Sequence, residues 1–114
     1  MSPTELDPLK AIEFIFHKSK EYATAKSEVV YLEQFRKSKH AMLMKDAEVA
    51  GHKTSAAQER EAYADLGYIE LLKGLRAATE KAEALRWQLV AAQARIDCWR
   101  SMEASNRQID KNFT

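Results

Sequence analysis

Chemically capable side chains are few in this chain, and their spacing decides which of them can act together. Glu13 and His17 stand four apart, the separation of neighbours on one helix face. A carboxylate-bridged metal site in a helical bundle needs Glu-x-x-His pairs on facing helices. That spacing is absent, so the pair reads as a surface contact and no metal is expected. His52 stands in a segment with turn chemistry, and one histidine does not make a ligand set. Cys98 has no second cysteine to pair with and no catalytic histidine context, so it reads as a small buried hydrophobe. Neither a glycine-rich phosphate loop nor a G-x-S-x-G elbow is present. These residues predict no catalytic site, no cofactor and no enzymatic activity.

One local charge cluster stands above background. In YLEQFRKSKHAMLMK, residues 31 to 45, Arg36, Lys37, Lys39 and Lys45 occur with no acid after Glu33, and His40 can add to them. On a helix Arg36 and His40 share one face while Lys37 and Lys39 splay to the sides. Two readings stand: a solvated helix face whose lysine stems shield apolar neighbours, or a surface that binds nucleic-acid phosphates. Single-strand binders add exposed rings on which bases stack. Tyr31 and Phe35 lie beside the cluster, but at helical spacing they read as core. Further along, Arg86, Arg95 and Arg100 flank an apolar stripe while Trp87 falls opposite it, at a place that calls for cover from a short middle helix or another subunit.

The elements that must position these residues follow from how rarely the chain is interrupted. It has 114 residues, 46% hydrophobic and 31% charged, with three Gly and two Pro. That is one domain's worth of chain, with enough apolar surface to fold and little turn chemistry. Eighteen basic against 17 acidic residues leave a net charge of +1, so no whole-molecule field points to nucleic acid or membrane. The N-terminus has neither a basic start nor an apolar run, and with a single cysteine this predicts a cytoplasmic protein with no membrane partner. Asp7 before Pro8 is an N-cap followed by proline at the first helical position. A helix of about 8–50 begins there and ends at Gly51, suited to the left-handed position after a helix. A turn over 51–55 precedes Ser55, which with Gln58 forms a capping-box spacing. A short helix over 55–64 follows. Asp65, Leu66 and Gly67 predict a kink or cap, then a helix of about 66–107 and a frayed tail over 108–114.

Periodicity fixes how the long helices meet. Tyr68, Leu71, Leu75, Ala78, Ala82, Leu85, Leu89, Ala92, Ile96 and Trp99 form an uninterrupted apolar seam in alternating steps of three and four. The first helix offers Leu9, Ile12, Ile15, Tyr22, Ala25, Val29, Leu32, Leu43, Ala47 and Ala50. The short connection between them predicts an all-α, coiled-coil-like antiparallel helical hairpin with a short middle helix. A second stripe, Ala77, Ala84, Ala91 and Cys98 with Ile69 and Val90 alongside it, makes the apolar face wider than one partner needs. It predicts a homo-oligomeric helical bundle with Ala77, Ala84, Trp87, Ala91 and Cys98 at the interface. The alternative is that the short middle helix folds back over the stripe.

At YLEQFRKSKHAMLM (31–44), TSAAQEREAY (54–63) and LRWQLVAAQARIDCWR (85–100), the sequence resembles a family of small, uncharacterised phage and prophage proteins encoded with recombination and replication genes. Its layout of a basic first helix and a tryptophan-bearing long helix is more distantly similar to the recombination mediator of T-even phages. The resemblance implies an oligomeric helical protein that binds single-stranded DNA in the host cytoplasm and helps a recombinase displace single-strand binding protein. It supplies no motif that assigns individual residues. Arg36, Lys37, Lys39, His40 and Lys45 are candidates through charge and position. A protein-binding adaptor or host-takeover factor, and a structural coiled-coil scaffold, are the competing expectations.

Overall fold

In the computed structural model, which describes residues 6–113, the chain is an all-α helical hairpin with a short middle helix. Helix α1 spans Pro8–Val49, α2 Ser55–Ala64 and α3 Leu66–Phe113. There is no strand among the described residues, and no described helix is long and apolar enough to cross a membrane.

Each boundary has a local cause. The Asp7 carboxylate accepts hydrogen bonds from the amides of Leu9 at 3.0 Å and Lys10 at 3.4 Å, and Pro8 supplies a helical φ at the first position. Leu6 and Ala11 are both buried, occupying the two positions of a hydrophobic staple. At the other end Gly51 takes φ +109°. The amide of His52 donates to the Ala47 carbonyl at 3.0 Å and that of Gly51 to Glu48 at 3.1 Å, the pair of bonds that closes a helix behind a left-handed residue. Helix α2 begins at Ser55 as expected, but its cap is Thr54, whose hydroxyl accepts from the Ala57 amide at 3.1 Å. The Ser55–Gln58 capping box does not form. Instead Gln58 donates through its side chain to the His52 carbonyl at 2.9 Å, pinning the turn to the new helix.

Asp65 alone separates α2 from α3. Its backbone is extended, and its carboxylate accepts from the Tyr68 amide at 2.9 Å, so Asp65 caps α3 and Gly67 lies inside that helix. The polar end expected to fray continues as helix to Phe113. No Gly or Pro interrupts residues 108–113, and Gln108 and Lys111 favour helix.

Two compact units divide the hairpin: one gathers the chain up to Ala23 and from Glu83 onward, the other spans Thr24–Ala82. In the first, Leu6, Ala11, Leu85 and Ala92 are buried, with Ile15, Tyr22, Leu89, Ile96 and Trp99 half-buried. In the second, Ala25, Val29, Ala47, Ala62, Tyr68 and Ala82 are buried, with Leu32, Leu43, Leu71, Leu75 and Ala78 half-buried. Every seam position expected on α3 is therefore wholly or partly covered. On α1 the register differs at the ends. Leu9, Ile12 and Ala50 are exposed, whereas Ala11, Phe14 and Lys18 take covered positions. The heptad that runs through Tyr22, Ala25, Val29 and Leu32 extends back to Ala11 and Ile15, which leaves Leu9 and Ile12 pointing away.

Two glycine substitutions separate a required glycine from a dispensable one. Gly51→Ala must place a Cβ at φ +109° and is expected to destabilise the fold by about 1–2 kcal/mol. Gly74 lies within α3 with nothing within 4 Å of an added Cβ, so Gly74→Ala is expected to stabilise by about 0.5–1 kcal/mol. Urea unfolding should move the two midpoints in opposite directions.

Candidate functional site

The heptad of α1 continues past Leu32 to Arg36, Lys39 and His40 before it regains Leu43 and Ala47, so basic residues occupy places where apolar ones would pack. All three are half-buried. The α2–α3 junction lies in the same unit, and its geometry determines what they meet. Tyr63, on the last turn of α2, and Tyr68, on the first turn of α3, flank the Asp65 break. Their rings lie 5.7 Å apart, edge to face. The His40 imidazole sits 4.7 Å from the Tyr63 ring and 6.0 Å from the Tyr68 ring. Arg36, Lys37, His40, Tyr63 and Tyr68 together line a cavity of about 310 Å³.

The electrostatics of this place are one-sided. No carboxylate lines the cavity, and Asp65, between the two tyrosines in sequence, is engaged as the cap of α3. Among the described residues neither Arg36 nor Lys37 has a carboxylate partner. His40 Nε2 is buried without a hydrogen-bond partner, a condition that native interiors mostly avoid. Tyr68 is buried, while Tyr63 is 55% exposed and presents ring surface beside the two cations.

Of the five basic candidates read from the sequence, the fold thus brings Arg36, Lys37 and His40 to one cavity. Lys39 is turned elsewhere: its Cε and Nζ lie 3.8 Å from where a Cβ on Gly67 would stand, so the end of its side chain reaches the start of α3. Lys45 is exposed and outside the cavity lining. Tyr63 and Tyr68 were not legible as part of a site, because only the one-residue break at Asp65 turns both toward His40. Tyr31 and Phe35, read from spacing as core, are instead exposed, with rings stacked 6.0 Å apart and nearly parallel. They stand one residue behind the register that α1 buries.

The α3 stripe is uncovered in the single chain. Ala77 in the central unit and Ala84, Trp87, Ala91 and Cys98 in the other are exposed. Cys98 is therefore not the buried hydrophobe that its small neighbours suggested, since the α3 seam turns the other way. Trp87 is 58% exposed, with the Arg86 guanidinium 4.5 Å above its ring, a cation–π contact. A larger cavity of about 600 Å³ lies in the unit that holds the chain ends, lined by residues that include Lys10, Phe14, Lys18 and Arg95. It is the weaker candidate, because Lys18 is paired with Glu21 at 3.1 Å and its carboxylate, Asp7, is committed to the α1 cap. His52 lies in the turn with Nε2 3.8 Å from the Glu61 carboxylate. Glu13 and His17 are exposed, and no group of three or more His, Cys, Asp or Glu among the described residues is placed to hold a metal ion.

No family model, curated protein or solved structure matches the chain. The arrangement itself offers a cationic wall, an exposed aromatic face and a half-buried imidazole whose Nε2 is buried.

The cap at Asp65 should control this geometry. Asp65→Ala is expected to cost about 1 kcal/mol of stability and to alter the near-ultraviolet circular dichroism of the packed tyrosines. An unchanged unfolding midpoint and spectrum would show that the junction is held by something else.

Proposed function

We propose that this chain is a non-enzymatic, single-stranded-DNA-binding accessory protein of phage type, acting in recombination or replication in the host cytoplasm and working as a homo-oligomer. The observation that carries the reading is the convergence of Arg36, Lys37 and His40 with the exposed Tyr63 ring around one cavity. Unpaired cations beside an exposed ring are the two components of sequence-tolerant single-strand binding: charge for the backbone and a π face for the bases. The exposed Tyr31–Phe35 pair beside Arg36 adds a second aromatic surface on α1.

Self-association rests on what the single chain leaves in water. Leu9, Ile12 and Phe16 on α1 and Trp87 and Val90 on α3 are all exposed, and contiguous apolar surface of this kind usually marks an interface. Several copies would multiply the basic patch, so that weak single contacts gain avidity when one strand crosses more than one copy. In this mechanism Arg36 and Lys37 neutralise phosphates and the oligomer sets the distance between patches. A recombinase or single-strand binding protein would be the partner at the remaining apolar surface. The exposure of Trp87 also favours a second reading, an adaptor that recognises a helix of another protein and needs no nucleic acid.

Oligonucleotide binding should weaken steeply as salt rises, because each neutralised phosphate releases counterions. The double variant Arg36→Gln, Lys37→Gln is expected to lower affinity and to reduce the log–log salt slope by about 1–2, read by fluorescence anisotropy at a series of ionic strengths. Lack of binding at low salt, or a slope unchanged by the double variant, would reject the DNA reading and leave the adaptor.

A further inference from the structure

We infer that the cavity between α1 and the α2–α3 junction is a pocket for one nucleotide, its phosphate on Arg36 and Lys37 and its base on Tyr63. This rests on the single-strand reading and deepens it: the site takes a discrete nucleotide unit rather than offering only a diffuse charged surface.

Three observations carry the inference. The cavity, about 310 Å³, stands at the small end of the roughly 300–1,000 Å³ range of ligand pockets, which suits a single base and phosphate better than a longer stretch. Its lining divides by chemistry, with two cations lacking carboxylate partners supplied by α1 and two tyrosines supplied by α2 and α3. A nucleotide divides in the same way, into an anionic phosphate and a flat apolar face with a polar rim. Finally, His40 is packed against Tyr63 and Tyr68, the three rings in mutual contact, with Nε2 buried and unpartnered. Filling that space needs no nitrogen, and a leucine there would spare the fold an unmet hydrogen bond. A local rule broken without a packing gain is expected at functional places. Tyr63 is the exposed member of the ring cluster. Movement of its side chain opens the way to Nε2, and the polar edge of the base supplies the partner that nitrogen lacks.

The assignment separates roles. Arg36 and Lys37 hold the anion without regard to the base. Tyr63 acts on the base alone, and His40 reads its edge. Lys45, outside the cavity, takes no part.

The test is calorimetric titration of the full chain with deoxyadenosine 5′-monophosphate, deoxyadenosine, inorganic phosphate and a short oligo-dA, alongside thermal unfolding of each variant. The monophosphate should saturate one site per chain and bind more tightly than either the nucleoside or phosphate. Tyr63→Leu should weaken the monophosphate and oligonucleotide at least about tenfold, from the loss of base stacking, and leave phosphate unchanged. His40→Leu should keep or raise the unfolding temperature while weakening the monophosphate, a combination that a purely structural histidine would not produce. Lys45→Gln should match the parent with the monophosphate. Equal affinity for phosphate and monophosphate, or monophosphate binding indifferent to Tyr63→Leu and His40→Leu, would overturn the pocket. Oligonucleotide binding that survives both variants would also overturn it while leaving the strand-binding reading intact. Monophosphate binding without oligonucleotide binding at low salt would uphold the pocket and overturn that reading.

Discussion

Alanine sets how closely α1 and α3 approach: Ala11, Ala25, Ala47, Ala82 and Ala92 are buried along the seam, and among the described residues only Leu6, Val29, Tyr68 and Leu85 add larger buried apolar side chains. Small side chains let two backbones come near, but each removes little surface from water, at about 25 cal/mol for each Å² of apolar area. One stripe per helix is all that a hairpin can cover. Phe16, Val49, Trp87 and Val90 therefore remain exposed, not through poor packing but because a two-helix layer has no further face to put against them. The same constraint leaves the apolar surface that the proposed oligomer would cover.

Against that regular seam, the interruption on α1 acquires its meaning. Arg36, Lys39 and His40 take positions that the register assigns to apolar residues. Each solves the problem differently: Lys39 brings the end of its side chain over Gly67, His40 packs against two tyrosine rings, and Arg36 lines the cavity. Opposite them the second strand of the hairpin is itself broken, at Asp65, where α2 gives way to α3. A continuous helix would present one stripe here; the break presents Tyr63 and Tyr68 from two directions. The candidate site therefore arises where both sides of the hairpin depart from regular packing together.

Much of the architecture was legible because it depends on short-range chemistry. Asp7–Pro8 and Gly51 mark the ends of α1, and the ten-position seam on α3 is visible as spacing alone. The α1 register was less so, since Leu9 and Ile12 are as apolar as the Ala11 and Phe14 that displaced them, and only the partner helix decides between neighbouring stripes. Lys39 illustrates a related limit: sequence shows a charge, whereas the reach of its side-chain end to Gly67 is a tertiary fact. The basic half of the site was readable from Arg36, Lys37 and His40, but its aromatic half was not. Tyr31 and Phe35 are close in sequence and were the natural aromatic candidates. Tyr63 and Tyr68 are more than twenty residues away and join the site only through the fold.

The proposed function requires that nucleic acid meet the chain at this junction. Nuclear magnetic resonance of the full chain, with single-stranded oligonucleotide added at low salt, tests that most directly. Ring and amide signals of His40, Tyr63 and Tyr68 should move together and saturate together, with those of Lys10 and Arg95 unaffected. Shifts that gather around Lys10 and Arg95 instead, or that spread over all lysines without the tyrosines, would contradict it.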